Sequence, residues 1–325
     1  MAGLALGASC ARQPGADLPL RVSVGPRMTM APIHLAVERG FFLDEGVAVA
    51  LQEVANPLEA LTLLAGGTVD VALFSFVPAL PNAIVRGARI RIIVGRDSMR
   101  PGCSDQGALY YRREKFPNGV TEPPDWADAR IAMSSPNAAA EFYLDTLLTS
   151  LGISPDTVHP SRMTNEEAIA GAVAGKVDIL FGTGRPNLMD AGLPDEVVRT
   201  DLLERTLGDF EYSYVLFGAR LLDGDPAIGT AFLRAYLRGV RAFVAGETPR
   251  FFDEFARRFH LNVEELRASC RSNIALDGEV RLGDLQRWLT WASSKGYVAP
   301  GVTPEQMVDM RFQLAASGAN RDATR

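Results

Sequence analysis

One stretch of the chain is written twice. GTVDVALFSFVPAL at residues 67–80 returns as GKVDILFGTGRPNL at residues 175–188, 108 positions later. The match extends upstream: Glu59, Ala60, Gly67, Val69, Asp70, Pro78 and Leu80 reappear as Glu167, Ala168, Gly175, Val177, Asp178, Pro186 and Leu188. Each copy reads as a helix end, a glycine stop, and an apolar strand that finishes in a proline loop. A chain of 325 residues has room for about two domains of ordinary size. The repeat therefore predicts two similar lobes.

Strands and helices alternate from residue 20 onward. LRVSVG alternates as a strand, and TMAPIHLAVERGFF is spaced as a helix, with Thr29 as its cap, Pro32 in its first turn and Gly40 as its stop. VAVALQEV is the next strand. NPLEALTLLAGG is the next helix, with Asn56 as cap and Pro57 at its first position. VDVALFSF is almost continuously apolar, as in a strand covered on both faces. ALPNAIVRGA and RIRIIVGR complete the first set as helix and strand. The order restarts at residue 130 with RIAMSS, then PNAAAEFYLDTLLTSLG capped by Ser135, then NEEAIAGAVAGK and VDILFG. Such alternation implies parallel sheets with crossover helices, an α/β fold. Two aromatic-rich runs, GALYYRRE (107–114) and FEYSYVLFGA (210–219), bracket the second set and read as the strands that carry the chain between lobes. Residues 224–325 are largely helical and are expected to pack back on lobe one. The expected boundaries are 1–19 for a leader and linker, 20–108 for lobe one, 109–213 for lobe two and 214–325 for the return to lobe one.

The bulk numbers narrow the function. A net charge of −6 lacks the basic face that nucleic acid requires. No apolar run approaches the length of a membrane span. MAGLALGASC is short, apolar and small-residued and ends in Cys10. It resembles the end of a bacterial lipoprotein signal, although it has no basic segment and carries Gly7 where such signals usually have Leu. That likeness makes Cys10 the expected lipidation site and a lipid anchor the only expected contact with the membrane. ARQPGADLP behind it has linker composition. Cys103 and Cys270 have no metal-ligand spacing and are read as free thiols; no metal or cofactor is expected.

The quoted segments also resemble a known family. MAPIHLAVERGFFLDEGVAVALQEV, EALTLLAGGTVDVALFSFVPAL, ARIAMSSPNAAAEFYLDTLLTSLGI and AIAGAVAGKVDILF are similar to the substrate-binding proteins of ABC importers. The branch is that of the nitrate, sulfonate, taurine and thiamine-precursor binders, and the likeness spans about residues 20–312. It implies a two-lobed periplasmic-binding-protein fold of type II that closes on a small ligand between lobes and delivers it to a membrane permease. It also implies a monomer at the periplasmic face or cell surface.

Topology points to the same place. In open parallel sheets the ligand crevice lies beyond the carboxyl ends of the strands, and two such sheets share one cleft. The segments at those ends are GPRMTM, Ser75-Phe76, Arg96-Asp97, SSPNA and GTGRPN. From them come Arg27, Met28, Thr29, Ser75, Phe76, Ser134, Ser135, Asn137, Thr183 and Arg185 as candidate ligand residues, with Glu141 from the helix after SSPN and Tyr212 from the second aromatic run. SSPN opens a helix whose free N–H groups suit an anionic acceptor, although Ser135 would cap that helix in any case. Arg185 stands where the first copy has Val77, a place for a fork on an anionic group or for a solvated rim charge. Trp126, Trp288 and Trp291 fall outside the expected cleft. Met28, Met30, Phe74 and Phe76 cluster at lobe-one strand ends, with Tyr143, Tyr212 and Tyr214 close by. The pattern suits a ligand with a polar head on lobe two and an apolar body on lobe one.

Enzyme readings find little support. His34, His159 and His260 accompany no hydrolase, zinc-protease or Walker motif. Two enzyme types share this fold, the thiamine-pyrimidine synthases and the menaquinone-pathway dehydratases. The cysteine-rich run of the former is absent here. A dedicated carrier of a lipid-like or aromatic ligand, with no importer, is the remaining alternative.

Overall fold

The computed structural model describes residues 18–101, 108–133, 139–182, 195–269, 271 and 273–318. In chain order its strands are β1 (Leu20–Val24), β2 (Val49–Glu53), β3 (Val71–Ser75), β4 (Arg91–Ser98), β5 (Ala108–Arg112), β6 (Ile131–Met133), β7 (Ser161–Arg162), β8 (Ile179–Gly182), β9 (Val197–Thr200) and β10 (Glu211–Phe217). They form two five-stranded sheets, ordered β2-β1-β3-β10-β4 and β7-β6-β8-β5-β9. In the first sheet β10 runs antiparallel to β3 and β4, and in the second β5 runs antiparallel to β8 and β9. The other pairings, β1 with β2 and β3, and β6 with β7 and β8, are parallel. The strand that follows each crossing between lobes thus takes the fourth place in the sheet it enters. The two aromatic-rich runs are those crossing strands, and the fold is the expected two-lobed α/β type.

The repeat has a local cause in each lobe. Glu59 and Glu167 sit at equivalent helix starts, Glu167 closing a capping box on Thr164 and Glu59 reaching one residue further back, to Ala55. Asn56 Oδ1 accepts from Glu59 N at 3.0 Å while Glu59 Oε2 accepts from Ala55 N at 2.7 Å. Thr164 Oγ1 accepts from Glu167 N at 3.2 Å while Glu167 Oε2 accepts from Thr164 N at 2.7 Å. These caps start the helices Pro57–Ala65 and Asn165–Val173. Gly67 and Gly175 end them at φ 68° and 67°, left-handed backbone that favours glycine.

The repeated aspartates tie neighbouring strands together. Asp70, just before β3, accepts from Arg21 N, Nε and Nη2 at 2.9, 3.2 and 2.8 Å and from Arg220 Nη1 at 3.0 Å. Asp178, just before β8, accepts from Arg130 N, Nε and Nη2 at 3.0, 2.8 and 2.6 Å and from Lys115 Nζ at 2.9 Å. Both carboxylates are buried. Burial alone would raise their pKa values, but the arginine hydrogen bonds and the added cation outweigh it and hold both below the usual carboxylate range. Each pair fixes the start of the third strand against the start of the first.

Core packing accounts for the apolar run in β3. Val71 and Leu73 join the cluster under the helices Ala31–Glu38 and Pro226–Val244, while Ala72 and Phe74 point into the cluster on the opposite face. The helix Pro226–Val244 lies against Ala31–Glu38 of lobe one, but the later helix Leu282–Ser294 does not keep to lobe one: its Trp288 and Trp291 meet Phe142 of the helix Ala139–Ser150. The first helix starts differently from expectation. A 3-10 turn at Met28–Met30 precedes it, Met30 occupies its cap position, and the buried Thr29 hydroxyl caps nothing. No helix among the described residues is long and apolar enough to cross a membrane.

Candidate ligand-binding site

The carboxyl ends of β1, β2 and β3 enclose a recess on lobe one. Its free volume is about 20 Å³, and Gly25, Arg27, Met30, Phe74, Ser75 and Arg96 are among its lining residues. That is room for a group about the size of one water. Ala55 and Asn56, exposed at the start of the helix Pro57–Ala65, form part of its rim. Arg27 is half-buried, and Met28 packs against the lobe-one core.

Arg96 is the unexpected member of this group. It lies within β4 and is 1% exposed, a burial that an arginine tolerates only when its charge is met. Asp97 Oδ2 lies 3.0 Å from its Nη2, and Thr29 O accepts from its Nη1 at 2.9 Å. Ser213 Oγ, on β10, donates to the same Asp97 Oδ2 at 2.9 Å. Arg96 Nε and the Thr29 hydroxyl are buried without hydrogen-bond partners. A signal in the sequence marked the position: a charged pair, Arg96-Asp97, closes an otherwise apolar strand.

A second buried carboxyl adjoins this pair. Glu211, at the start of β10, is 3% exposed and accepts from Arg281 N at 3.1 Å. Burial pushes it up to about 8, opposed by the Arg281 hydrogen bond and charge and assisted by the Asp284 and Asp97 charges. Gly95 makes room for it, since a Cβ there would stand 1.8 Å from Glu211 Oε2.

The structure places several sequence candidates away from any open cleft. Phe76 is 1% exposed and stacks on Trp288 with ring centroids 5.0 Å apart. Trp288 in turn meets Phe142, from the lobe-two helix Ala139–Ser150, at 4.0 Å. The tryptophan excluded from the cleft therefore covers the end of β3, and Phe76 is a core residue. Tyr212 is buried too, and its backbone oxygen accepts from Phe76 N at 2.9 Å. Glu141 faces the C-terminal segment: it accepts from the Tyr297 hydroxyl at 2.9 Å, and Lys295 Nζ lies 3.8 Å away. One turn on, Asp145 accepts from Trp291 Nε1 at 2.8 Å and pairs with Lys295 at 3.0 Å. Arg27, Ser75 and Arg96 are brought together, with Thr29 adjoining. Ser134, Ser135, Asn137, Thr183, Arg185, Cys10, Cys103 and Cys270 lie outside the described residues.

The sequence family confirms the kinship that this geometry suggests. The model of the family described as NMT1/THI5 like matches residues 27–247, more than half of the chain. The chain belongs to the NMT1/THI5-like family. No curated protein matches it at significant similarity. The fold of this NMT1/THI5-like chain is shared by the periplasmic aliphatic sulphonate binding protein of Escherichia coli, at TM-score 0.69 and 15% identity over 90% of this chain and 92% of that one. The periplasmic nitrate-binding protein of Synechocystis matches at TM-score 0.67 and 14% identity over 94% and 89%. A desulfurization enzyme matches at TM-score 0.60 and 14% identity over 93% and 99%. At these identities the likeness shows the fold, that of two-lobed periplasmic binding proteins.

Proposed function

We propose that the chain is an extracytoplasmic solute-binding protein that captures a small organic ligand and passes it to an ABC-type permease. The observation that carries this reading is the recess at the lobe-one strand ends with buried Arg96 in its wall. It lies where open parallel sheets hold ligands. The family membership and the fold shared with sulphonate- and nitrate-binding proteins support the same role. No cysteine or histidine is among the recess residues described, so the Ser75 hydroxyl there has no imidazole base among them. That favours a binder over an enzyme such as the desulfurizing one.

Residues 107–114 and 210–219 act as the hinge, and Ser134, Ser135, Asn137, Thr183 and Arg185 supply contacts from lobe two. The protein works as a monomer, tethered at the periplasmic face through lipidated Cys10. A ligand held between lobes favours closure by its differential affinity for the closed state. Small-angle scattering with a stabilising solute is expected to show a smaller radius of gyration, and an unchanged radius at saturation would contradict closure. Labelled palmitate is expected to enter the wild type and not Cys10→Ser; equal labelling would refute the anchor.

A further inference from the structure

The C-terminal segment Leu282–Tyr297 joins the two lobes through its side chains. Its backbone is anchored on lobe one. The helix Leu282–Ser294 packs on β10, Asp284 Oδ2 accepts from Glu211 N at 2.9 Å, and Trp288 Nε1 donates to Glu211 O at 3.2 Å. Just beyond the helix, Asn82 Nδ2 of the lobe-one helix Ala79–Val85 donates to Tyr297 O at 2.7 Å. The same segment also turns a face to lobe two. Trp288, Trp291 and Lys295 are spaced by three and then four residues, so they share one helical stripe.

The lobe-two helix Ala139–Ser150 meets that stripe with one of its own, since Asp145 stands three residues after Phe142 and four after Glu141. The Phe142 ring lies 4.0 Å from Trp288 and meets Trp291 edge-on at 5.5 Å. Asp145 accepts from Trp291 Nε1 at 2.8 Å and pairs with Lys295 Nζ at 3.0 Å, while the Tyr297 hydroxyl donates to Glu141 at 2.9 Å. Phe76, at the end of β3, stacks on Trp288 from lobe one. Trp288 is fully buried and Phe142 is 3% exposed. Swinging the lobes apart about the crossing strands would draw these rings off one another and into water, which the hydrophobic effect opposes.

We propose that the segment Leu282–Tyr297 is a strut between the lobes, in which Trp288, Trp291, Lys295 and Tyr297 are positioning residues that hold the helix Ala139–Ser150 against lobe one and limit how far the cleft opens. The consequence for binding rests on the solute-binding reading above. A chain that opens too readily has a smaller binding-competent fraction and a weaker apparent affinity.

Small-angle scattering and acrylamide quenching of tryptophan fluorescence test the strut, both on the full chain after any bound solute is removed by unfolding and refolding. Lys295→Gln combined with Tyr297→Phe removes two polar arms and leaves every ring in place. The population with separated lobes is expected to rise about tenfold, read as a larger radius of gyration and stronger quenching. Trp126, 1% exposed within lobe two, gives an unchanged background. Lys295→Arg keeps the cation and is expected to behave like wild type. Phe142→Ala removes the central ring and is expected to open the lobes further, with circular dichroism reporting whether lobe two stays folded. Asp178→Asn, whose partners Arg130 and Lys115 are not strut residues, is expected to lower the unfolding midpoint and leave the radius unchanged. If the double variant and Phe142→Ala keep the wild-type radius and quenching, or lose stability with no change of radius, these residues are ordinary packing and the inference falls. Neither measurement needs a solute, so a chain that bound none would leave the strut standing, and a failed strut would leave solute binding untouched.

Discussion

Replacing Glu211 with Gln is expected to change how the stability of this protein depends on pH. The carboxyl ordinarily titrates near 4.5 and is pushed up to about 8 in the fold, chiefly by burial. A group with a raised pKa contributes stability that is fully present below about 4.5 and lost as pH rises through about 8. The gap between those values, at about 1.36 kcal/mol per pH unit, sets the full loss at up to about 5 kcal/mol. Glutamine has nearly the same shape, stays neutral, and still offers an oxygen to Arg281 N. Glu211→Gln is therefore expected to match wild type at pH 4.5 and to exceed it by several kcal/mol at pH 9. Urea unfolding of both proteins across that range measures the difference directly. Parallel pH profiles would refute the reasoning, because they would mean that Glu211 reaches water or a compensating cation in the folded state.

The packing supports three further expectations. Gly95→Ala would drive a methyl group against the Glu211 carboxyl and is expected to cost about 1–3 kcal/mol in chemical denaturation; an unchanged midpoint would show that the carboxyl is free to move. Asp70→Asn and Asp178→Asn are twins, each losing charge-assisted bonds to an arginine, and each is expected to cost about 2–3 kcal/mol by the same assay. A large cost at one site only would show that the repeat is not equivalent in the two lobes. Phe76→Ala removes the ring stacked on Trp288 and is expected to destabilise by about 3–5 kcal/mol; normal stability with altered solute preference would return Phe76 to the cleft.

The fold was legible in the sequence because its strongest signals are local. A capping glutamate acts three residues from its cap, a stop glycine acts at its own φ, and Asp70 and Asp178 each stand at a strand start. Those are the residues the chain repeats, so the repeat records how each lobe is built and not what it binds. The alternation of strands and helices followed directly, as did the strand-end location of the recess. Side-chain environments were less legible. Phe76 looks available in sequence, but Trp288, more than two hundred positions later, packs over it, and nothing near Phe76 announces that partner. Glu141 follows SSPN and so looks placed for a ligand, whereas its partners Tyr297 and Lys295 come from the C-terminal segment. Arg96 stands in the sequence as a strand-end residue beside Asp97, yet its setting depends on Thr29 and Ser213 converging on that pair from two other places in the chain. Burial is set by such long-range pairings, which hydrophobic periodicity does not encode.

If this chain holds a small solute without transforming it, native mass spectrometry of the freshly purified full chain, and of the chain incubated with a mixed panel of solutes, is expected to show one small-molecule adduct per chain. That adduct is expected to leave intact on collisional activation and to be recovered with its mass unchanged. Bare protein with every solute class offered would contradict that reading, and so would solutes returned with altered masses, which would make the protein an enzyme.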